Sequence, residues 1–291
     1  MKTGRKLTAQ RMVKLAGVSR AGFYRFDEDA GPRPDPEMEL RDTIQRIALE
    51  WPSYGRPRIT AELRRRGWTV NPKKVYRLMR EDNLLCFRKR KFVVTTDSSH
   101  SRKVYPNVAK TMVLTGMDQL WRADITYIRL RDEFVYVAVI LDAYSRRVIG
   151  WALDRTMEDE LTLSALRMAL SRRVVEPGLV HHSDRGSQYA SRDYTEQLKE
   201  NGIVISMSRK GNPWDNAACE SFMKTLKYEE VHRNDYRDLA EAKAAIREFL
   251  EKVYNQKRLH SAIGYVPPAE FEACFTAQQT EQKEAAARQL L

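Results

Sequence analysis

FVYVAVILDAYS (134–145) is a continuous apolar, β-branched run that closes on Asp-Ala-Tyr-Ser. That is the pattern of a strand covered on both faces. Upstream, QLWRADITYIRL (119–130) is a second strand candidate, and the short gap at 130–133 makes a hairpin of the two. Downstream, RRVIGWAL (146–153) is a third strand after a turn at 142–145. A helix over about 158–175 follows, then LVHHSDRG (179–186), a short strand ending in a polar loop. A helix over 189–201 is stopped by Gly202, IVISMS (203–208) reads as a strand, and a long helix begins near Trp214.

Three strands, helix, strand, helix, strand, helix is the order of an α/β, ribonuclease H-like core: a mixed sheet flanked by helices. Small all-α units precede it. Residues 7–25 read as helix, Gly17 turn, helix, with Ser19 as the second N-cap. This is a helix-turn-helix outline that simple packing would also produce. The acidic, Pro-rich stretch 26–37 reads as a linker. Then come an amphipathic helix over 37–50 (Leu40, Ile44, Ile47, Ala48), a helix over 56–67 stopped by Gly67, and a basic helix over 72–82 opened by Asn71-Pro72. The expected organisation is a helix-turn-helix-like segment at 1–30 and a three-helix DNA-binding domain at 31–95. A flexible basic linker at 96–115, a catalytic core with a C-terminal helical segment at 116–275 and a frayed helical tail at 276–291 complete it.

Charge supports a polyanionic partner. The net charge is +12 and the pI about 9.6. Residues 1–110 hold 26 Lys and Arg against 12 Asp and Glu, and residues 111–291 hold 25 against 27, so the basic character lies in the N-terminal part. Exposed Arg64, Arg65, Arg66, Lys73, Lys74 and Arg77, with the run Arg88, Lys89, Arg90 and Lys91, are the phosphate-contact candidates; the alternative is a solvated basic helix face. Cys86, Cys219 and Cys274 lack zinc-ligand spacing and disulfide parity, which fits a reducing compartment. No apolar run reaches the roughly 18 residues of a membrane span. MKTGRKLTAQ has no apolar signal core, so a cytoplasmic, nucleoid-associated protein without membrane partners is expected.

Three carboxylates carry the chemistry. Asp124 sits among Trp121, Ile125 and Tyr127 in the first strand, where an acid needs a partner. Asp184 ends the fourth strand, at the kind of position where α/β sheets place ligand groups. Glu220 lies on the last helix, and the spacing is Asp, 59 residues, Asp, 35 residues, Glu. At about 100° per residue, Asn216, Lys224 and Lys227 fall within about 40° of Glu220, while Ala218, Cys219, Phe222, Met223 and Leu226 lie on the opposite side. Glu220 alone would read as an exposed i,i+4 pair with Lys224. Three converging acids need cations. The oxygen donors suit Mg²⁺ (or Mn²⁺), two ions about 3.5–4 Å apart, for in-line phosphoryl transfer. Lys224, Lys227 and Asn216 then flank the DNA path. Strand alternation puts His182 on the side of Asp184, as a partner to that carboxylate, a DNA contact or a packed histidine. Asp142 and Asp154 read as turn residues.

These motifs resemble a known family. WRADITYI around Asp124, LDAYSRRVIGW (141–151), HHSDRGSQYAS around Asp184 and SRKGNPWDNAACESFMKTLKYE around Glu220 are similar to the OrfB-type transposases of the bacterial insertion-sequence family designated three. That family is a branch of the retroviral-integrase-like DDE superfamily. SYGRPRITAELRRRGWTVNPKKVYRLMRE and YNQKRLHSAIGYVPPAEF (254–271) resemble the flanking segments, so the likeness runs from about residue 5 to 271. The family's Asp-35-Glu signature corresponds to Asp184 and Glu220, and its following basic residue to Lys227. The resemblance implies catalytic, metal-holding Asp124, Asp184 and Glu220, cleavage of one strand at terminal inverted repeats, and transfer of the 3′-OH to target DNA. The zinc-bearing integrase relatives use a His/Cys N-terminal motif that this chain lacks, so no zinc is expected. An upstream-frame partner or fusion, and at least a homodimer on double-stranded DNA, are further expectations. The competing readings are a hydrolytic ribonuclease H-like nuclease and a DNA-binding regulator from a transposable element.

Overall fold

The computed structural model describes residues 8–24, 36–86, 102–209 and 213–289; the candidates Arg88, Lys89, Arg90 and Lys91 lie outside them. Two short helices come first, α1 (Ala9–Ala16) and α2 (Arg20–Tyr24). Gly17 closes α1 in the left-handed conformation, φ 64°, and the Gly22 N–H donates to Ser19 Oγ at 3.0 Å to cap α2. Neither helix buries a residue, so the helix-turn-helix outline has no core of its own.

Helices α3 (Met38–Glu50), α4 (Arg56–Arg65) and α5 (Pro72–Glu81) do form a core. Ile44, Ile47, Ile59, Leu63, Leu78 and Met79 are fully buried there. Asn71 caps α5 by accepting the Lys73 N–H at 2.9 Å, with Pro72 at the first helical position. A distant residue completes this core: Leu259 packs into it. The Leu259 N–H donates to the Tyr54 hydroxyl at 2.8 Å and its carbonyl accepts from Arg58 Nε at 3.0 Å. The helical unit is therefore seated on the C-terminal part of the chain.

The sheet has five strands: β1 (Leu120–Arg129), β2 (Phe134–Asp142), β3 (Val148–Asp154), β4 (Val180–Ser183) and β5 (Val204–Met207). Their order is β3-β2-β1-β4-β5, with β1–β3 antiparallel and β4 and β5 parallel to β1. This is the expected ribonuclease H-like sheet. Helices α6 (Asp159–Arg172) and α7 (Arg192–Glu200) cover one face, over Trp121, Ala123, Ile125, Ala138 and Ile140. Helices α8 (Ala217–Glu229) and α9 (Leu239–Glu248) and a π-helix (Phe249–Lys257) cover the other, over Val137, Val139 and Leu141. The β2 run needed no polar face because both sides are covered.

Helix α6 lies so close to β3 that a Cβ at Gly150 would stand 2.2 Å from the Ala165 carbonyl oxygen and 3.0 Å from Ala169 Cβ. Both neighbours are fixed in a helix. Gly150→Ala is expected to destabilise the protein by roughly 1–3 kcal/mol or more through overpacking. A chemical-denaturation midpoint equal to that of the unaltered chain would contradict this packing.

Two boundaries differ from those expected. The linker at 96–115 is not a free connector over its described part. Ala109 is buried, and the Val108 and Ala109 N–H groups donate to Ser206 Oγ at 3.1 and 3.2 Å, so the chain is fastened to β5. The division at 275/276 falls inside one helix, α10 (Pro268–Gln289). Its first turns are anchored by buried Glu272, which accepts from Ser145 Oγ, Arg147 and Arg173. Among the described residues no helix is long and apolar enough to cross a membrane.

Candidate active site

The register of the sheet brings Asp124 and Asp184 together. β1 pairs with β4 in parallel through Trp121↔His181 and Arg122↔His182. Two residues beyond the last pair come Asp124, still on β1, and Asp184, in the loop just past the end of β4. Helix α8 is fastened across β1 by its lead-in: Arg122 Nη1 donates to the Asp215 carbonyl, and Asn216 Nδ2 donates to the Ala123 carbonyl at 3.1 Å. Glu220, one turn later, therefore faces the same groove.

Electrostatics record the convergence. The Asp124 carboxyl is pushed up to about 8, first by burial, then by the negative charge of Asp184, with Glu220 adding to it. A hydrogen bond from the Ile125 N–H at 2.9 Å and the charge of Lys227 oppose the rise. Asp184 Oδ1 accepts the Gly186 N–H at 2.8 Å. Glu220 is 38% exposed and is held by Lys224 Nζ at 2.7 Å, the i,i+4 pair that the helix spacing allows. Among the described residues no three Asp, Glu, His or Cys side chains stand close enough to grip an ion as they lie. The acids are neighbours around a groove of about 1190 Å³ that Asp124 and Glu220 line.

The Integrase core domain family matches residues 115–213, a second Integrase core domain family matches 201–268, and the HTH-like domain family matches 35–92. Transposase InsF for insertion sequence IS3A of Escherichia coli (strain K12) is 35% identical over 267 residues, which cover 90% of this chain and 92% of InsF. The chain belongs to the IS3 family of insertion-sequence transposases. The Insertion element IS600 uncharacterized 31 kDa protein of Shigella sonnei is 39% identical over 264 residues, covering 89% of this chain and 97% of that protein. Among solved structures, the catalytic core domain of BIV integrase is 19% identical with a TM-score of 0.40, covering 57% of this chain and 99% of that one.

The other residues expected to touch DNA in this IS3-family chain are dispersed. Lys224 and Lys227 line the carboxylate groove. Lys227 lies 4.1 Å from the Tyr127 ring centroid, and burial draws its ammonium below the ordinary range. Asn216 serves as the tie to β1 rather than as an exposed amide. His182 does not meet the expectation of a DNA or carboxylate contact. It is fully buried, with Nδ1 on Ser206 Oγ at 2.8 Å and Nε2 on Ser208 Oγ at 3.0 Å. Burial, with the Arg122 charge, lowers it to about 4, so it is a neutral packed histidine at pH 7. On the helical unit, Arg64 and Lys73 are exposed. Arg65 is instead bonded through both terminal nitrogens to Glu270 at 2.9 and 2.8 Å, and Lys74 and Arg77 both pair with Glu37. Arg129, Arg131 and Arg237 line the groove as well, and no spacing in the sequence sets them apart. Only their nearness in the fold to Lys227 marks them.

Proposed function

We propose that this IS3-family transposase cleaves insertion-sequence ends and joins the 3′-OH to target DNA, with Asp124, Asp184 and Glu220 holding two Mg²⁺ or Mn²⁺ ions. The observation that carries this is the convergence of the acids: Asp124 and Glu220 line one groove, and Asp184 lies near enough to act on the buried Asp124 carboxyl. Such a cluster is short of positive charge, and its donors are all oxygens, which fits hard divalent cations. When bound, the metal supplies charge to activate the attacking oxygen and stabilise the leaving one. Asp124 on β1 and Asp184 in the loop just after β4, tied to the Gly186 N–H, orient the donor set. Glu220 joins it by giving up Lys224, an exposed pair worth only about 0.3–0.5 kcal/mol. The released Lys224 and the pinned Lys227 then hold phosphate oxygens beside the reacting centre, and the basic surfaces of the helical unit hold the flanking duplex. Two ends must be handled together, so the working form is at least a dimer on DNA at the nucleoid, with an upstream-frame partner or fusion contributing end recognition.

The test is incubation of the full chain with a labelled element end and Mg²⁺ or Mn²⁺. Strand-joined product is the expected outcome. Nicking without joining would make the protein a nuclease, and binding without either would make it a regulator.

The metal dependence carries a pH signature. Asp124 must lose its proton to take a cation, and in the folded chain that proton stays until about pH 8. Apparent Mn²⁺ affinity is therefore expected to rise about tenfold per pH unit below 8 and to level off above it. Stability of the metal-free chain runs the other way. The unfolded carboxyl ionises near pH 4 and the folded one near 8, so this group's contribution is best below 4 and falls as pH rises to 8. Mn²⁺ titrations across pH 6–9 that give one constant affinity would contradict this role of Asp124.

A further inference from the structure

We propose that a second cavity, on the other flank of α8 from the carboxylate groove, binds a backbone phosphate of the DNA being processed; this rests on the transposase reading above. The cavity has a volume of about 460 Å³ and four guanidinium groups among its lining residues: Arg58 from α4, Arg122 from β1, Arg146 from the β2–β3 turn and Arg258 from the segment after the π-helix. Ser221 and Thr225 of α8 add hydroxyls, and no carboxylate lines it. Glu229 neutralises Arg258 from behind, through two bonds of 2.7 Å. Arg122 and Arg146 form no ion pair among the described residues.

Placing these like charges together is unfavourable unless an anion joins them. Burial, and then the repulsion of Arg146, draw the Arg122 guanidinium below its ordinary range, and Arg146 also acts on His260 in the cavity wall. Arg146 reaches this place from a left-handed backbone, φ 66°. A non-glycine residue pays for that conformation in strain, and strain of this kind gathers at functional positions. Phosphate chemistry fits the donors: guanidinium forks and hydroxyls are what phosphodiester oxygens accept from.

The position suits duplex DNA. On the wheel of α8, Ser221 and Thr225 lie about 100° and 140° from Glu220, so the two cavities flank one helix. A helix with its side chains is about 10–12 Å across, close to the roughly 12 Å width of a major groove. DNA crossing α8 with one phosphate at the carboxylates can set another in the arginine cavity. Because Arg58 belongs to the helical unit, that phosphate also ties this unit to the core.

The experiment measures binding of the full chain to a labelled element-end duplex over a range of salt, with Ca²⁺ replacing Mg²⁺ to prevent turnover. Arg146→Gly removes the guanidinium while relieving the left-handed strain, so its thermal midpoint should be unchanged or higher. Its slope of log affinity against log salt should fall by about 0.9, the loss of one phosphate contact. Lys199→Gln, on α7 across the sheet, removes the same charge and should leave the slope unchanged. An unchanged slope in folded Arg146→Gly, or equal changes in the two variants, overturns the proposal. If the unaltered chain joins ends while Arg146→Gly keeps its slope, only this inference fails. If the unaltered chain neither binds nor joins DNA, the transposase reading fails with it.

Discussion

Asp184→Asn is expected to lower strand joining by about three orders of magnitude or more, a loss of roughly 4 kcal/mol of transition-state stabilisation. The substitution keeps the size of the side chain and an oxygen to accept the Gly186 N–H, so the loop after β4 should persist. What disappears is one negative donor and the repulsion that helps hold the proton on Asp124. The Asp124 carboxyl should then titrate lower than about 8, so the variant combines a more ordinary Asp124 with a crippled metal set. A gel assay for joined product, with thermal unfolding as the control for folding, measures both parts. Joining at an undiminished rate would remove Asp184 from the metal mechanism.

Arg258→Ala is expected to cost about 3–5 kcal/mol of stability. Arg258 and Glu229 are 3% and 9% exposed and are joined through both guanidinium and carboxylate forks. Truncating the arginine leaves a buried carboxylate without its cation, and the desolvation penalty of that charge dominates the loss. The neighbourhood magnifies the effect. Leu259, the next residue, is the one that enters the core of the helical unit, and Tyr254 packs edge-on against Phe222 of α8. Loosening Arg258 should therefore weaken the seating of the helical unit and the position of α8 together. Denaturant unfolding measures the loss, and a change below about 1 kcal/mol would mean that the pair is dispensable.

Much of the catalytic half was legible because its signals are local. The β2 run is apolar on both faces, and both faces are covered. The wheel of α8 separated Glu220 from Cys219, Phe222, Met223 and Leu226, and those four are the buried ones. Partners far apart in the chain left no such mark. Arg77 meets Glu37 from 40 residues away, and Arg65 meets Glu270 from 205, so two basic residues read as free are already paired. Asn255 bonds both the N–H and the carbonyl of Val148, at 3.0 and 2.9 Å, an arrangement that no spacing rule anticipates. For His182, alternation along the strand carries no sign of the two serines of the β5 segment that close over it. The arginine cavity draws on residues 58, 122, 146 and 258, and only folding assembles them.

If the carboxylates ligate the metal that does the chemistry, a change of ligand reveals it most directly. Asp184→Cys replaces a hard oxygen donor by a softer thiolate, which Mg²⁺ binds poorly and Mn²⁺ or Cd²⁺ accepts better. Strand joining by Asp184→Cys should be lost with Mg²⁺ and recovered in part with Mn²⁺ or Cd²⁺, while the unaltered chain joins with Mg²⁺. Full activity of Asp184→Cys with Mg²⁺ would contradict ligation by Asp184.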